Sequence, residues 1–136
     1  MIRAIVHDPM FLSRKALPAE KSDLPLARDL RDTLKANAER CVGMAGNMIG
    51  ENKSVIIVNM GLMDVVMFNP ELLSMSGPFE TAEGCLSLAG ERRCKRFREI
   101  TVRFRDEMWQ EKTMRLSGWT AQIVQHEVDH LHGILI

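Results

Sequence analysis

Gln125-His126-Glu127-Val128-Asp129-His130 lies in a segment that reads as a helix from about Gly118 to Leu131. Ser117 or Thr120 can cap its start, and Gly133 stops it. At about 100° per residue, His126 and His130 fall one turn apart on the same face. Two imidazoles in that relation can share one metal ion, as two of the three protein ligands of an open hydrolytic site. Glu127 follows the first of them and can act as a general base toward a water that the metal activates. Ile123, Val124 and Leu131 supply the helix with an apolar flank. The chain has four histidines, three of them here; His132 lies off the shared face, where it favours the helix C-terminus. The fourth, His7, reads as an exposed or hydrogen-bonded strand residue.

A third ligand must come from upstream, because no carboxylate follows His130. Cys41, Cys85 and Cys94 all suit a first-row metal. Chemistry alone favours Cys85, in Ala82-Glu83-Gly84-Cys85-Leu86-Ser87, since Gly84 permits close approach and Leu86 offers a backbone N–H beside the ion. Cys94 sits in a basic run and Cys41 follows a helix end, and both remain open.

Before this helix, Ser22-Asp23-Leu24-Pro25 starts a helix in which Leu26, Leu30 and Leu34 recur, running to about Arg40. Residues 41–50 form a glycine-punctuated turn. Strand runs follow at Ser54–Asn59, Val65–Asn69, Thr81–Leu88, Glu99–Phe104 and Trp109–Leu116, with Asn69-Pro70 closing the second. The order predicts one compact α+β domain over residues 1–136: short mixed or antiparallel strands packed around a C-terminal metal-binding helix, with an N-terminal helix.

The 136 residues carry 18 basic and 18 acidic side chains. A net charge of zero argues against a broad electrostatic grip on nucleic acid or an anionic membrane. The run Glu91-Arg-Arg-Cys-Lys-Arg-Phe-Arg98 reads as a solvated strand edge and turn. Three cysteines without framework spacing, a start that lacks an apolar leader, and no membrane-length apolar stretch predict a reducing, cytoplasmic setting.

Glu83-Gly84-Cys85-Leu86-Ser87, followed by Gln125-His-Glu-Val-Asp-His130, resembles the second and third signature motifs of the peptide deformylases, in the same order. Val42-Gly43-Met44-Ala45 stands in the place of the first motif, and Asn69-Pro70-Glu71-Leu72 is similar to a strand end of the family. The resemblance implies a bacterial hydrolase of protein biosynthesis that removes the formyl group from N-formylmethionine on nascent peptides. A transient ribosome contact is compatible with that role, while a membrane or a specific nucleic-acid sequence is not a partner. It also implies one divalent ion: Fe(II) first, with zinc, nickel or cobalt as alternatives. By position, Cys85, His126 and His130 become the ligands and Glu127 the base. The Leu86 N–H becomes an oxyanion donor. Val42, Gly43 and Gly84 would line a cleft that holds the peptide as an added strand. Arg92 aligns near the substrate, and Gln122 and Ile123 border the methionine side-chain pocket, where glutamine is unusually polar.

The first motif departs from the family. Met48 stands where a glutamine amide is the second oxyanion donor, and a thioether cannot donate. Cys41 and Gly46 replace a glycine and an alanine. The missing donor could be supplied by water, the Asn47 side chain or a shifted backbone amide. The leading expectation is a working deformylase. The alternatives are a hydrolase of another acyl-peptide, or a weakly catalytic paralogue that binds formylated N-termini or ribosomes.

Overall fold

The computed structural model describes residues 1–136. Five strands form one antiparallel meander in the order β1-β2-β3-β4-β5. They are β1 (Gly43–Ala45), β2 (Val55–Asn59), β3 (Asp64–Cys85), β4 (Leu88–Arg105) and β5 (Glu111–Ser117). Three helices accompany them: α1 (Pro9–Leu12), α2 (Leu26–Ala36) and α3 (Gly118–Leu131). The architecture is the α+β domain expected, and every strand pair of the sheet is antiparallel rather than mixed. No helix is long and apolar enough to cross a membrane.

The core explains the placement of α3. Val55, Ile56, Ile57 and Val58 of β2 are fully buried, because α2 and α3 cover the sheet that β2 helps to form. Val124 and Val128 of α3 and Leu30 and Leu34 of α2 join the same cluster. Gly133 ends the last helix at φ 75°, and a side chain there would meet the Ser13 carbonyl at 2.2 Å. The N-terminal segment is thereby packed on the end of α3, where the Ala16 amide also donates to Leu131 O at 2.8 Å.

Several expectations need correction. His7 lies in no strand, and Thr81–Leu88 is not one strand, because β3 ends at Cys85 and the chain turns back into β4 at Leu88. Pro70 does not close a strand; β3 runs through it. The register skips from Phe68↔Arg105 to Glu71↔Arg103, a bulge in which Asn69 takes φ 52°. The Asn69 side chain accepts from Ala19 N at 2.7 Å and donates to Ala19 O at 2.9 Å, which holds the left-handed residue and spares Pro70 a ladder bond. Residues 41–50 are more than a turn, since Gly43–Ala45 pair with β2 and Gly46–Ile49 coil into a 3₁₀ turn. The helix α2 stops at Ala36, four residues early, because the Asn37 amide takes the Thr33 carbonyl at 2.8 Å. The short α1 was not foreseen; Asp8 caps it and Pro9 occupies its first position.

Candidate metal centre

The helix α3 presents His126, Glu127 and His130 from its buried face. Across from it, β3 ends at Cys85 and turns back through Leu86 and Ser87 into β4. Cys85 Sγ lies 3.3 Å from His130 Nε2, which in turn lies 3.1 Å from His126 Nε2. The three donor atoms sit within 4.8 Å of one another and could hold one metal ion. Such spacings match donors arranged about a single ion with bonds of about 2.0–2.3 Å. One soft sulfur and two imidazole nitrogens form a set that suits several first-row metals.

The sequence reading missed what orients these donor groups. His126 Nδ1 is bonded to Glu83 Oε1 at 2.7 Å, which leaves Nε2 for the ion. Glu83 also accepts from Arg96 and, at 2.7 Å, from Gln122 Nε2; Arg96 reaches on to Asp129 at 2.7 Å. Burial opposes charge on Glu83, yet the bonds from His126, Arg96 and Gln122 hold its carboxyl down to about 2. The run 91–98 is thus not wholly a solvated edge, because Arg96 is only 3% exposed. Its charge gave no sign of burial, but alternation along β4 turns it inward after the exposed Arg93 and Lys95. Replacing Arg96 by Met should destabilise the fold by about 3 kcal/mol, since it strands Asp129 and part of Glu83 without their cation. Urea unfolding of both proteins checks this, and a change below about 0.5 kcal/mol, the scale of an exposed pair, would show the network to be dispensable.

A cleft of about 240 Å³ opens over these groups. Val42, Gly43 and Met48 line one side and Gly84, Cys85 and Leu86 the other, with Gln122, Ile123, His126 and Glu127 between. A Cβ on Gly43 would meet Ile123 at 2.8 Å and Glu127 Oε2 at 3.0 Å, so only glycine lets β1 approach the acid. Gly84 has nothing nearer than 3.7 Å, and protein packing alone does not demand it. Burial pushes the Glu127 carboxyl up to about 7, and its buried Oε1 has no protein partner. The charge of a bound divalent ion would act in the opposite direction.

Other expected residues lie apart. Arg92 donates to Ala89 O within the hairpin and does not line the cleft, whereas Glu91 beside it does. Trp119, 62% exposed on α3, also borders the cleft and was passed over. An aromatic one turn ahead of Ile123 was the available signal. Cys41 donates its thiol to Gly43 O at 2.7 Å, and Cys94 sits on β4; neither belongs to the donor cluster. Burial drives both thiols up, to about 12 and about 11. The Asn47 amide is turned away and bonds His130 O at 2.9 Å, which removes it as a substitute oxyanion donor. Met48 is buried, and its sulfur accepts the Ala45 N–H at 3.5 Å.

Comparison with known proteins agrees along the whole chain. The family model for polypeptide deformylase matches residues 2–136. A peptide deformylase of Clostridium beijerinckii is 46% identical over 136 residues, all of both chains. An actinonin-bound class I type b peptide deformylase from Acinetobacter baumannii superposes with a TM-score of 0.89 at 31% identity, covering 99% of this chain and 95% of that one. A structure of the Acinetobacter baumannii protein with Met-Ala-Ser bound superposes at 0.88 and 29% identity, covering 99% and 96%.

Proposed function

The chain belongs to the polypeptide deformylase family, and from that premise we propose that it hydrolyses N-formylmethionyl peptides to formate and a free amine through a site built on Cys85, His126, His130 and Glu127. The observation that carries this reading is the convergence of one sulfur and two Nε2 atoms beside a buried carboxylate with an unpartnered oxygen. The family is metal-dependent; Fe(II) is the proposed ion, with zinc, nickel and cobalt compatible with the same donors. The proposed partner is a formylated nascent peptide, met during a transient contact with the ribosome.

When bound, the ion supplies the Lewis acidity that makes water a nucleophile near neutral pH. Glu127 takes the proton from the attacking water and passes it to the departing amine. The Leu86 N–H donates to the formyl oxygen as it gains negative charge. The β1 strand is a sheet edge, paired only with β2, so an extended peptide can add along its free side beside Val42 and Gly43. Gln122 and Ile123 then border the first side chain. The Met-Ala-Ser peptide in the similar Acinetobacter baumannii structure supports a terminus-reading cleft of this kind. The test is formate release from formyl-Met-Ala-Ser by anaerobically prepared, iron-loaded protein. Tight binding of that peptide without turnover would favour a weakly catalytic binding paralogue, the reading that the Met48 thioether keeps alive.

Met48 also offers a prediction. In Met48→Gln the side-chain carbonyl can take over the bond from Ala45 N–H that sulfur now accepts, which turns the amide N–H₂ toward the cleft. A fully recovered oxyanion donor is worth roughly 10²–10³ in turnover. Gly46 is locked against Lys53 O and Glu51 O, where a Cβ would come to 2.8 and 3.0 Å, so the loop cannot readjust to aim the new amide. A partial gain of about tenfold in kcat is therefore expected, read as formate release at equal metal occupancy. A clear fall would show that Met48 is adapted to this site.

A further inference from the structure

Two consecutive residues near the N-terminus join the two loops that face each other across the cleft. The Val6 amide donates to Met48 O at 2.8 Å. The His7 ring places Nδ1 2.9 Å from Ser87 O, and since a carbonyl only accepts, Nδ1 carries the proton. Met48 belongs to the 3₁₀ turn after β1, and Ser87 to the turn between β3 and β4. These loops are 39 positions apart in the sequence (87 − 48), and adjacent residues of one segment hold both. His7 is exposed, belongs to no helix or strand, and makes no other side-chain hydrogen bond. Just beyond it, Asp8 caps α1 and Leu12 is fully buried, so the segment is anchored on its far side.

We infer that Val6 and His7 form a positioning clamp that fixes the Cys85–Leu88 turn against the Met48 loop, and so aims the Leu86 N–H into the cleft. The inference rests on the deformylase reading for its effect on rate. The Leu86 N–H lies in the Cys85–Leu86 peptide and the Ser87 carbonyl in the Ser87–Leu88 peptide. The pair Cys85↔Leu88 ties these two units together on the ladder side, but the turn can still tilt about that closing pair. A bond to Ser87 O restrains the tilt, and with it the aim of the Leu86 N–H. The constraint matters more in this chain than in one with an amide at position 48. A thioether there cannot donate, so Leu86 is left as the protein's own oxyanion donor. Small errors in such aim are amplified in the transition state, where the bond is strongest. His7 acts through Leu86 and is a positioning residue.

The test compares His7→Ala, His7→Asn and His7→Phe with the wild-type holoenzyme. Asn can return an amide donor near the place of Nδ1, while Phe keeps the ring and loses the donor. Loss of one such bond should lower kcat by about tenfold in His7→Ala and His7→Phe, with KM, metal occupancy and Tm nearly unchanged. Amide hydrogen exchange over residues 84–90 should accelerate in the same two variants. His7→Asn should recover most of both properties. The clamp is overturned if His7→Phe keeps wild-type turnover and exchange, or if His7→Asn is as impaired as His7→Ala. A fall in kcat that tracks metal loss overturns it as well. Absence of formate release from the wild type would instead sink the deformylase reading, and exchange over 84–90 would still decide whether His7 holds the turn.

Discussion

Glu127→Gln is expected to bind its metal ion normally and to lose nearly all formate release. Glutamine keeps the size of the side chain and fits under Gly43, where only 3.0 Å separates Glu127 Oε2 from the position a Cβ would occupy. His126, His130 and Cys85 therefore keep their places. The amide cannot accept the proton of the attacking water, and general base catalysis is worth about 10²–10⁴-fold. A variant that turns over comparably at equal metal occupancy would remove Glu127 from the mechanism. Stability supplies a second readout after chelation. Burial raises the folded carboxyl from 4.5 to about 7, so between those values the unfolded chain releases the proton first. Fold stability then declines as pH rises through that window. Glu127→Gln has no proton to release, so the decline should be shallower in the variant. Equal pH dependence of urea midpoints in the two chelated proteins would mean that Glu127 is not held protonated by burial.

The parts of this protein that follow from local periodicity were legible in its sequence. His126 and His130 share a helix face because four residues make one turn, and Gly133 stops that helix because only glycine fits there. The strand runs of β2 and β5 were legible for the same reason. What was hidden depends on partners distant in the chain. Glu83 looks like one more acid in a strand run until β3 and β4 pair Ala82 with Arg93 and Thr81 with Cys94, bringing Arg96 to it. Pro70 looks like a strand stop because proline lacks a donor, and nothing local says that Ala19 will bond Asn69 and make a bulge of it. The choice among Cys41, Cys85 and Cys94 is of the same kind. All three thiols suit a first-row metal; Gly84 and Leu86 favour Cys85 locally, but only the hairpin brings its sulfur to rest opposite α3.

That choice makes a sharp prediction. Cys85→Ser should lose metal, while Cys41→Ser and Cys94→Ser should keep it. Cys85 Sγ sits 3.3 Å from His130 Nε2, on the side of the cluster that α3 does not supply. A thiolate brings full negative charge and polarisable sulfur to the ion; a serine hydroxyl brings neither at neutral pH and is a poor ligand for iron or zinc. With two imidazoles alone, affinity should fall by more than the roughly 10–100-fold that loss of an outer hydrogen-bonding partner costs. The fold should survive, because Cys85 is half-buried at a strand end and serine is nearly isosteric. Metal per chain after dialysis against a weak chelator, measured alongside urea unfolding, separates loss of a ligand from loss of structure. The other two cysteines make the control informative. Cys41 spends its thiol on Gly43 O, and Cys94 lies on the β4 arm of the hairpin, outside the cluster. If Cys85→Ser held stoichiometric metal while Cys41→Ser or Cys94→Ser released it, the assignment of Cys85 as the third ligand would be wrong.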